Sequence, residues 1–321
     1  MVGTPFQRAL VIRGGALGDF LLTLPVLHSL RTAAPSSRVE LLAYPGLGTL
    51  AKNAGMIDEV RSIEYGPMAG FFTRGAVLDP DLREYFGSFD LVVSYLYDPD
   101  GIFHENLRAS GAGRVVIGPH RPSSGAHAID QLAAPLADLG LPLCGRASRI
   151  HTARVEQAAP TIAIHPGSGS AAKNWPAENW RQLAERLLVD NLGIRLAVIG
   201  GEADESGLAA LRDLAPRKSV VFWENLPLTD LAERLAGAQL YLGHDTGISH
   251  LAAAAGVPSL LLFGPTDPGV WSPPHDYVRV LRAHEGRLEN LAVNTVMAAV
   301  RPSVPARRLA SRGDASDNAA S

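Results

Sequence analysis

The sequence predicts an α/β protein of two doubly wound halves, each a mostly parallel sheet with helices on both faces. Three observations carry that expectation. Short apolar runs alternate with longer helical patterns along most of the chain. The runs are almost continuously apolar, as strands covered on both faces are. Regular alternation of strand and helix is the pattern left by crossover connections between parallel strands. The 321 residues suit roughly two domains at about 150 residues each.

The elements follow in order. In the first half, residues 9–12, 39–43, 91–95 and 115–117 read as strands. The apolar repeat over 20–32 reads as the helix after the first of them. In the second half, 161–164, 196–199, 220–222, 240–242 and 259–263 read as strands, and 180–188, 228–236 and 248–255 as helices. Periodicity fades between Cys144 and Pro160, which places the linker there. The expected units are an N-terminal domain over 1–155, a C-terminal domain over 156–304, and a disordered tail over 305–321, polar and rich in small residues. Arg312-Gly313-Asp314 in that tail is a chance match.

Composition removes several function classes. A hydrophobic share of 46% with a net charge of only −3 excludes disorder for most of the chain. One cysteine, Cys144, excludes a disulfide framework. The mild negative charge argues against sequence-independent binding of nucleic acid. No run of about 20 clean apolar residues is present: Arg13, Asp19, Pro25 and His28 break 9–30, and His244, Asp245 and His250 break 240–263. The chain reads as cytoplasmic. The run Phe20-Leu21-Leu22 with Leu24, Val26 and Leu27 has two readings, a buried helix, which is favoured, or a surface that touches a membrane peripherally.

In open α/β sheets ligands bind beyond the carboxyl ends of the strands, so the loops there carry the chemistry. After the first strand comes Arg13-Gly14-Gly15-Ala16-Leu17-Gly18-Asp19. It fits neither the dinucleotide fingerprint, since Gly15, Leu17 and Phe20 fail the glycine spacing, nor a P-loop, since no Gly-Lys-Ser/Thr ends it. What remains is an acid at the strand's mouth, either a helix cap or a cleft carboxylate. The second loop, His165-Pro166-Gly167-Ser168-Gly169-Ser170-Ala171-Ala172-Lys173-Asn174-Trp175-Pro176, joins small residues and hydroxyls to a lysine. Lysine occurs in this chain only at 52, 173 and 218, and a compact cation after a Gly/Ser loop suits a phosphate. The third, His244-Asp245-Thr246-Gly247-Ile248-Ser249-His250, opens an Ala-rich helix whose free N–H groups at Thr246 and Gly247 form a ready anion site. Asp245 beside a phosphate would be repelled, so it faces sugar hydroxyls or caps the helix. His250 lies one turn on, on the same face; a lone helix histidine is more often structural, and that reading is favoured on the loop alone. The fourth, Phe263-Gly264-Pro265-Thr266-Asp267-Pro268, is a turn whose Thr266 hydroxyl adds a contact if it faces the same cleft.

Four such segments in this order resemble glycosyltransferase family nine, the ADP-heptose:lipopolysaccharide heptosyltransferases. The resemblance rests on Val11-Ile12-Arg13 and Leu17-Gly18-Asp19 with Leu24-Pro25, on His165 to Gly169 and Lys173 to Pro176, on Asp245-Thr246-Gly247 with His250-Leu251, and on Phe263 to Pro268. It implies a GT-B fold, two Rossmann-like domains facing across a cleft, with a final helix around 287–300 returning towards the first. It implies a general base at Asp19 and a lysine on the donor's phosphates at Lys173. Asp245 then contacts the donor sugar, with Thr246, Gly247 and His250 as neighbours. Ser168 and Gly169 form the phosphate loop, Glu202 binds ribose, and the main chain at Leu226 contacts adenine. No cofactor is implied beyond the nucleotide sugar. The partners implied are that donor and a glycan or glycolipid acceptor. On the acceptor side stand Arg13, Asp98 and Asp100, in a stretch that departs from the Asp-x-Gln form usual in the family. Lipopolysaccharide-core acceptors are anionic, and Arg108, Arg114 and Arg121 are the local candidates for a basic cleft.

Two segments, Asp79-Pro80-Asp81 and Asp98-Pro99-Asp100, have the Asp-x-Asp form of metal-dependent glycosyltransferases. Proline after aspartate is also an ordinary helix start, and that reading is favoured. The expected activity is inverting, metal-independent sugar transfer. Two alternatives stay open: another GT-B enzyme, such as a nucleotide-sugar hydrolase or epimerase, and a non-catalytic nucleotide-sugar-binding protein.

Overall fold

The computed structural model describes residues 6–300 apart from 148, 191 and 192; the expected tail over 305–321 lies outside the described residues. Eleven strands are described: β1 Arg8–Ile12, β2 Arg38–Ala43, β3 Glu59–Ser62, β4 Leu91–Ser94, β5 Arg114–Ile117, β6 Thr161–Ile164, β7 Arg195–Gly200, β8 Val220–Glu224, β9 Leu240–His244, β10 Ser259–Phe263 and β11 Val278–Arg282. The α-helices are α1 Leu17–Ala33, α2 Pro45–Asn53, α3 Pro80–Gly87, α4 Ile102–Ala109, α5 Ala128–Leu132, α6 Ala134–Asp138, α7 Ala177–Asp190, α8 Glu205–Arg212, α9 Leu228–Ala236, α10 Gly247–Ala254, α11 Pro268–Trp271 and α12 Val293–Val300.

They form two parallel sheets, in the orders β3-β2-β1-β4-β5 and β11-β10-β9-β6-β7-β8. Side chains alternate between faces as the pleat requires. On β1, Leu10 and Ile12 meet Phe71, Phe86 and Phe103 on one face, while Ala9 and Val11 join the core on the other. On β6, Ile162 and Ile164 pack with Trp175 and Trp180, and Ala163 faces the opposite core. That opposite core runs on from the first half into the second through α1 and α10.

Helix α1 is buried almost all round, including Phe20, Leu21, Leu22, Leu24, Val26 and Leu27. Each such side chain contributes roughly 1.5–3 kcal/mol by leaving water. The membrane-surface reading of this run therefore has no exposed apolar side chains to act through. Among the described residues no helix is long and apolar enough to cross a membrane.

The structure differs from the sequence reading at the edges. Strands β3 and β11 have no continuous apolar run, because each is an edge strand with exposed and half-buried positions. The final helix begins at Val293, later than expected. It packs Val296, Met297 and Val300, its apolar positions, into the second-half core with Trp175 and Trp180. The connection between halves changes allegiance near residue 145: the Cys144 amide donates to Ser29 Oγ at 3.0 Å, whereas the Ile150 and Val155 amides donate to the carbonyls of Ala254 and Glu233.

Candidate active site

Each sheet has one place where the strand order reverses. In the first it lies between β1 and β4, in the second between β6 and β9. A doubly wound sheet opens a crevice there, at the carboxyl ends. The loops after β1, β6 and β9 are the Asp19, Lys173 and Asp245 loops, and they converge on one cleft of about 890 Å³. From the first half it is lined by residues that include Asp19, His120 and Arg121. From the second come Ser168, Gly169, Lys173, Asp204, Asp245, Thr246, Gly247, His250 and Thr266.

Asp19 sits in the first turn of α1. The chain enters that turn through Gly15, at φ +97°, where a Cβ would also lie 3.1 Å from Asp19 Oδ2; glycine answers both constraints. Asp19 Oδ2 reaches back towards the Ala16 amide at 3.4 Å, so the carboxylate both ties the helix start and lines the cleft. Arg13 anchors it from beneath. Its guanidinium is 1% exposed and lies 3.7 Å from Asp19 Oδ1. It donates to the His120 carbonyl at 2.9 Å and to the Asp19 carbonyl at 3.2 Å, and covers the Tyr95 ring. Burial pulls the Arg13 pKa down, against the nearby Asp19 carboxylate. Arg13 is therefore a buried support for Asp19 rather than an acceptor contact.

On the other wall, Lys173 Nζ donates to Asp245 Oδ2 at 2.8 Å. Ser168 Oγ closes its loop on the Ser170 carbonyl at 2.7 Å. Thr246 caps α10, its hydroxyl accepting from the Ser249 amide, so the Gly247 and Ile248 amides carry no helical bond. The starts of α1 and α10 meet directly: a Cβ on Gly247 would stand 2.9 Å from the Gly18 nitrogen and from Leu17 Cβ. Thr266 Oγ1 is buried and makes no hydrogen bond among the described residues.

Other expected residues fall elsewhere. Glu202 is exposed and outside the cleft lining; of the two acids in its turn, the one that lines the cleft is Asp204. Asp204 accepts from the Gly201 amide at 2.9 Å and pairs with His165 Nε2 at 3.2 Å. Burial works to raise its pKa, but the His165 hydrogen bond and the Gly201 amide outweigh that and hold it below the usual carboxylate range. Leu226 is half-buried against the core, outside the cleft lining. Asp98 accepts from the Phe103 and His104 amides in the first turn of α4, and Asp100 is exposed. Asp79 caps α3 through the Leu82 amide. The first Asp-x-Asp segment is thus a helix start and the second the turn that leads into one. Among the described residues no group of three or more His, Cys, Asp or Glu side chains is placed to hold a metal ion. Of the three candidate basic residues, Arg121 lines the cleft, while Arg114 donates to the carbonyl of Asp138.

Two buried histidines flank Asp245. His250 is pushed down to about 4, chiefly by burial, against the pull of Asp245. His244 is pushed down to about 4 by burial, against its bond to the Gly167 carbonyl. Both are neutral in the native state near pH 7. An unfolded histidine titrates near 6.5, so the unfolded chain binds more protons between pH 6.5 and 4. The stability each contributes is full above about pH 6.5 and is lost as pH falls towards 4, by up to about 1.4 kcal/mol per pH unit. Urea unfolding from pH 7 to 5 should show this loss, with a shallower slope in His250→Gln; equal slopes would count against the assignment.

Comparison with known proteins adds the following. The model of glycosyltransferase family 9 (heptosyltransferase) matches residues 126–300. The chain is 28% identical over 295 residues to lipopolysaccharide heptosyltransferase 1 of Pseudomonas aeruginosa, covering 82% of this chain and 80% of that protein. Among solved structures, a family 9 glycosyl transferase from Veillonella parvula superposes with a TM-score of 0.75 at 20% identity, over 92% of this chain and 97% of that one. The E. coli heptosyltransferase WaaC with ADP does so at 0.73 and 22% identity, over 92% and 100%. At those identities the two structures speak to the fold, which is GT-B.

Proposed function

This chain belongs to glycosyltransferase family 9, and from that premise we propose that its cleft moves heptose from ADP-heptose to a lipopolysaccharide-core or related glycan acceptor, with inversion and without a metal. The Pseudomonas relative, similar over most of both chains, is a lipopolysaccharide heptosyltransferase. The observation that carries the reading is that Asp19, from the first half, lines the same cleft as Lys173, Asp245 and the start of α10, from the second.

The acceptor's hydroxyl oxygen bonds to the anomeric carbon of the donor sugar as the carbon–oxygen bond to the diphosphate breaks. Asp19 takes the hydroxyl proton, and ADP departs with the bonding pair. Lys173 and the free amides of α10 meet the charge that grows on the leaving group, a task a metal performs in other enzymes. Asp245, beside Lys173, faces the sugar hydroxyls. Attack from the face opposite the leaving group inverts the anomeric centre. Glu202 and Leu226 follow β7 and β8, whose loops are linked by the Asn225 amide on the Gly200 carbonyl; the nucleoside extends towards them. The reading places the enzyme in the cytoplasm, meeting a membrane surface through a glycolipid acceptor.

Calorimetry with ADP-heptose, ADP-glucose and UDP- and GDP-sugars tests the donor. ADP-heptose should bind, and binding only to a uridine or guanosine donor overturns the assignment. A chelator should leave transfer unchanged. A tenfold loss restored by a divalent cation would sink the metal-free step.

A further inference from the structure

His244 ends β9 one residue before Asp245 and is fully buried. Its ring joins both ends of the lysine loop. Nε2 accepts from the Trp175 amide at 2.9 Å, and Nδ1 lies 3.2 Å from the Gly167 carbonyl. An amide nitrogen only donates, so Nε2 carries no proton and the neutral ring holds its hydrogen on Nδ1, which donates to Gly167. Between these two anchors lie Ser168, Gly169 and Lys173. The far side of the clamp is rigid. Trp175 Nε1 donates to the Leu291 carbonyl at 2.8 Å, and Trp180 meets the His244 ring edge-on at 5.3 Å. Ser249 Oγ donates to the His244 carbonyl and ties this strand end to α10.

We propose that His244 is a positioning residue: a neutral, two-ended clamp that sets the loop bearing Lys173 at the distance from Asp245 and α10 where one diphosphate meets both. The proposal deepens the donor reading above and rests on it for the ligand. A loop rich in small residues and pinned only by its chain ends would sample many placements of Lys173. Two hydrogen bonds from one buried ring remove that freedom before the donor arrives. The ionisable groups facing the ring are His165, Asp204 and Asp245, with Lys173 paired to the last. Protonating the ring takes away the Trp175 acceptor, so acid should open the clamp and weaken diphosphate binding together.

His244→Phe keeps the ring's bulk and removes both bonds. Amide exchange across residues 168–175 should quicken while the rest of β9 stays protected, and ADP affinity should fall at least tenfold with adenosine affinity little changed. His244→Gln, which offers an acceptor towards Trp175, should recover part of the ADP affinity and weaken less in acid than the wild type, keeping only the part due to the ligand's own phosphate. Should His244→Phe fail to fold, His244→Asn carries the test: it keeps a donor for Gly167 and should quicken exchange mainly near Trp175. Unchanged loop exchange and unchanged ADP affinity in the folded variants overturn the clamp. A wild type that binds no ADP overturns the donor reading, and loop exchange then decides the clamp alone.

Discussion

Replacing Asp19 with Asn is expected to cut sugar transfer by about 10²–10⁴-fold, the usual range for losing a positioned base, while donor binding stays within a few-fold. The substitution is close to isosteric. An Asn oxygen can still accept from the Ala16 amide, as Asp19 Oδ2 does, so the start of α1 keeps its tie. What goes is the basic lone pair in the cleft and the attraction to Arg13, 3.7 Å away. Donor affinity is expected to survive because the phosphate-facing groups stand on the opposite wall. The test has three readings: transfer rate, calorimetric affinity for ADP-heptose, and the thermal midpoint. Unchanged transfer sinks the base assignment. Loss of affinity in step with loss of rate would make Asp19 a donor contact instead.

The same residue shows what was legible in the sequence. Parallel strands buried on both faces leave near-continuous apolar runs, and the loops after them stand out by contrast. Asp19, Lys173, Asp245, Thr246, Gly247 and His250 all lie in such loops or at the starts of the helices that follow them, and all line the cleft. Residues that act from inside the fold were hidden. Arg13 reads as the first polar residue after a strand, and only its burial under Asp19 shows it to be a support. His244 reads only as the first residue of the third loop; its link from Gly167 to Trp175 joins residues far apart in sequence. Glu202 and Asp204 share one short 3-10 turn, and nothing in Glu-Ala-Asp says which carboxylate the turn aims inward. Edge strands β3 and β11 were missed for a related reason, since an edge need not be apolar.

Replacing Lys173 with Ala is expected to weaken ADP binding by about 10–100-fold, the scale of one charge-assisted hydrogen bond. Transfer should fall further still, because the lost charge matters most as the leaving group develops its own. The ion pair with Asp245 makes this larger than the loss of one contact. Lys173 holds the Asp245 carboxylate at 2.8 Å, and the Asp245 side chain is only 10% exposed. Without the lysine a nearly buried carboxylate on the sugar side is left unneutralised close to the diphosphate. Part of the lost affinity should therefore return in Lys173→Ala/Asp245→Asn, where the repulsion is gone, although the sugar contact is gone with it. ADP binding should recover in the double variant while transfer does not. Lys173→Arg should restore binding only in part, since a planar fork replaces a compact ammonium. If Lys173→Ala weakened ADP and a free sugar equally, or if removing Asp245 gave no recovery, Lys173 would not be the phosphate's partner, and the positive end of α10 would be left to hold the leaving group by itself.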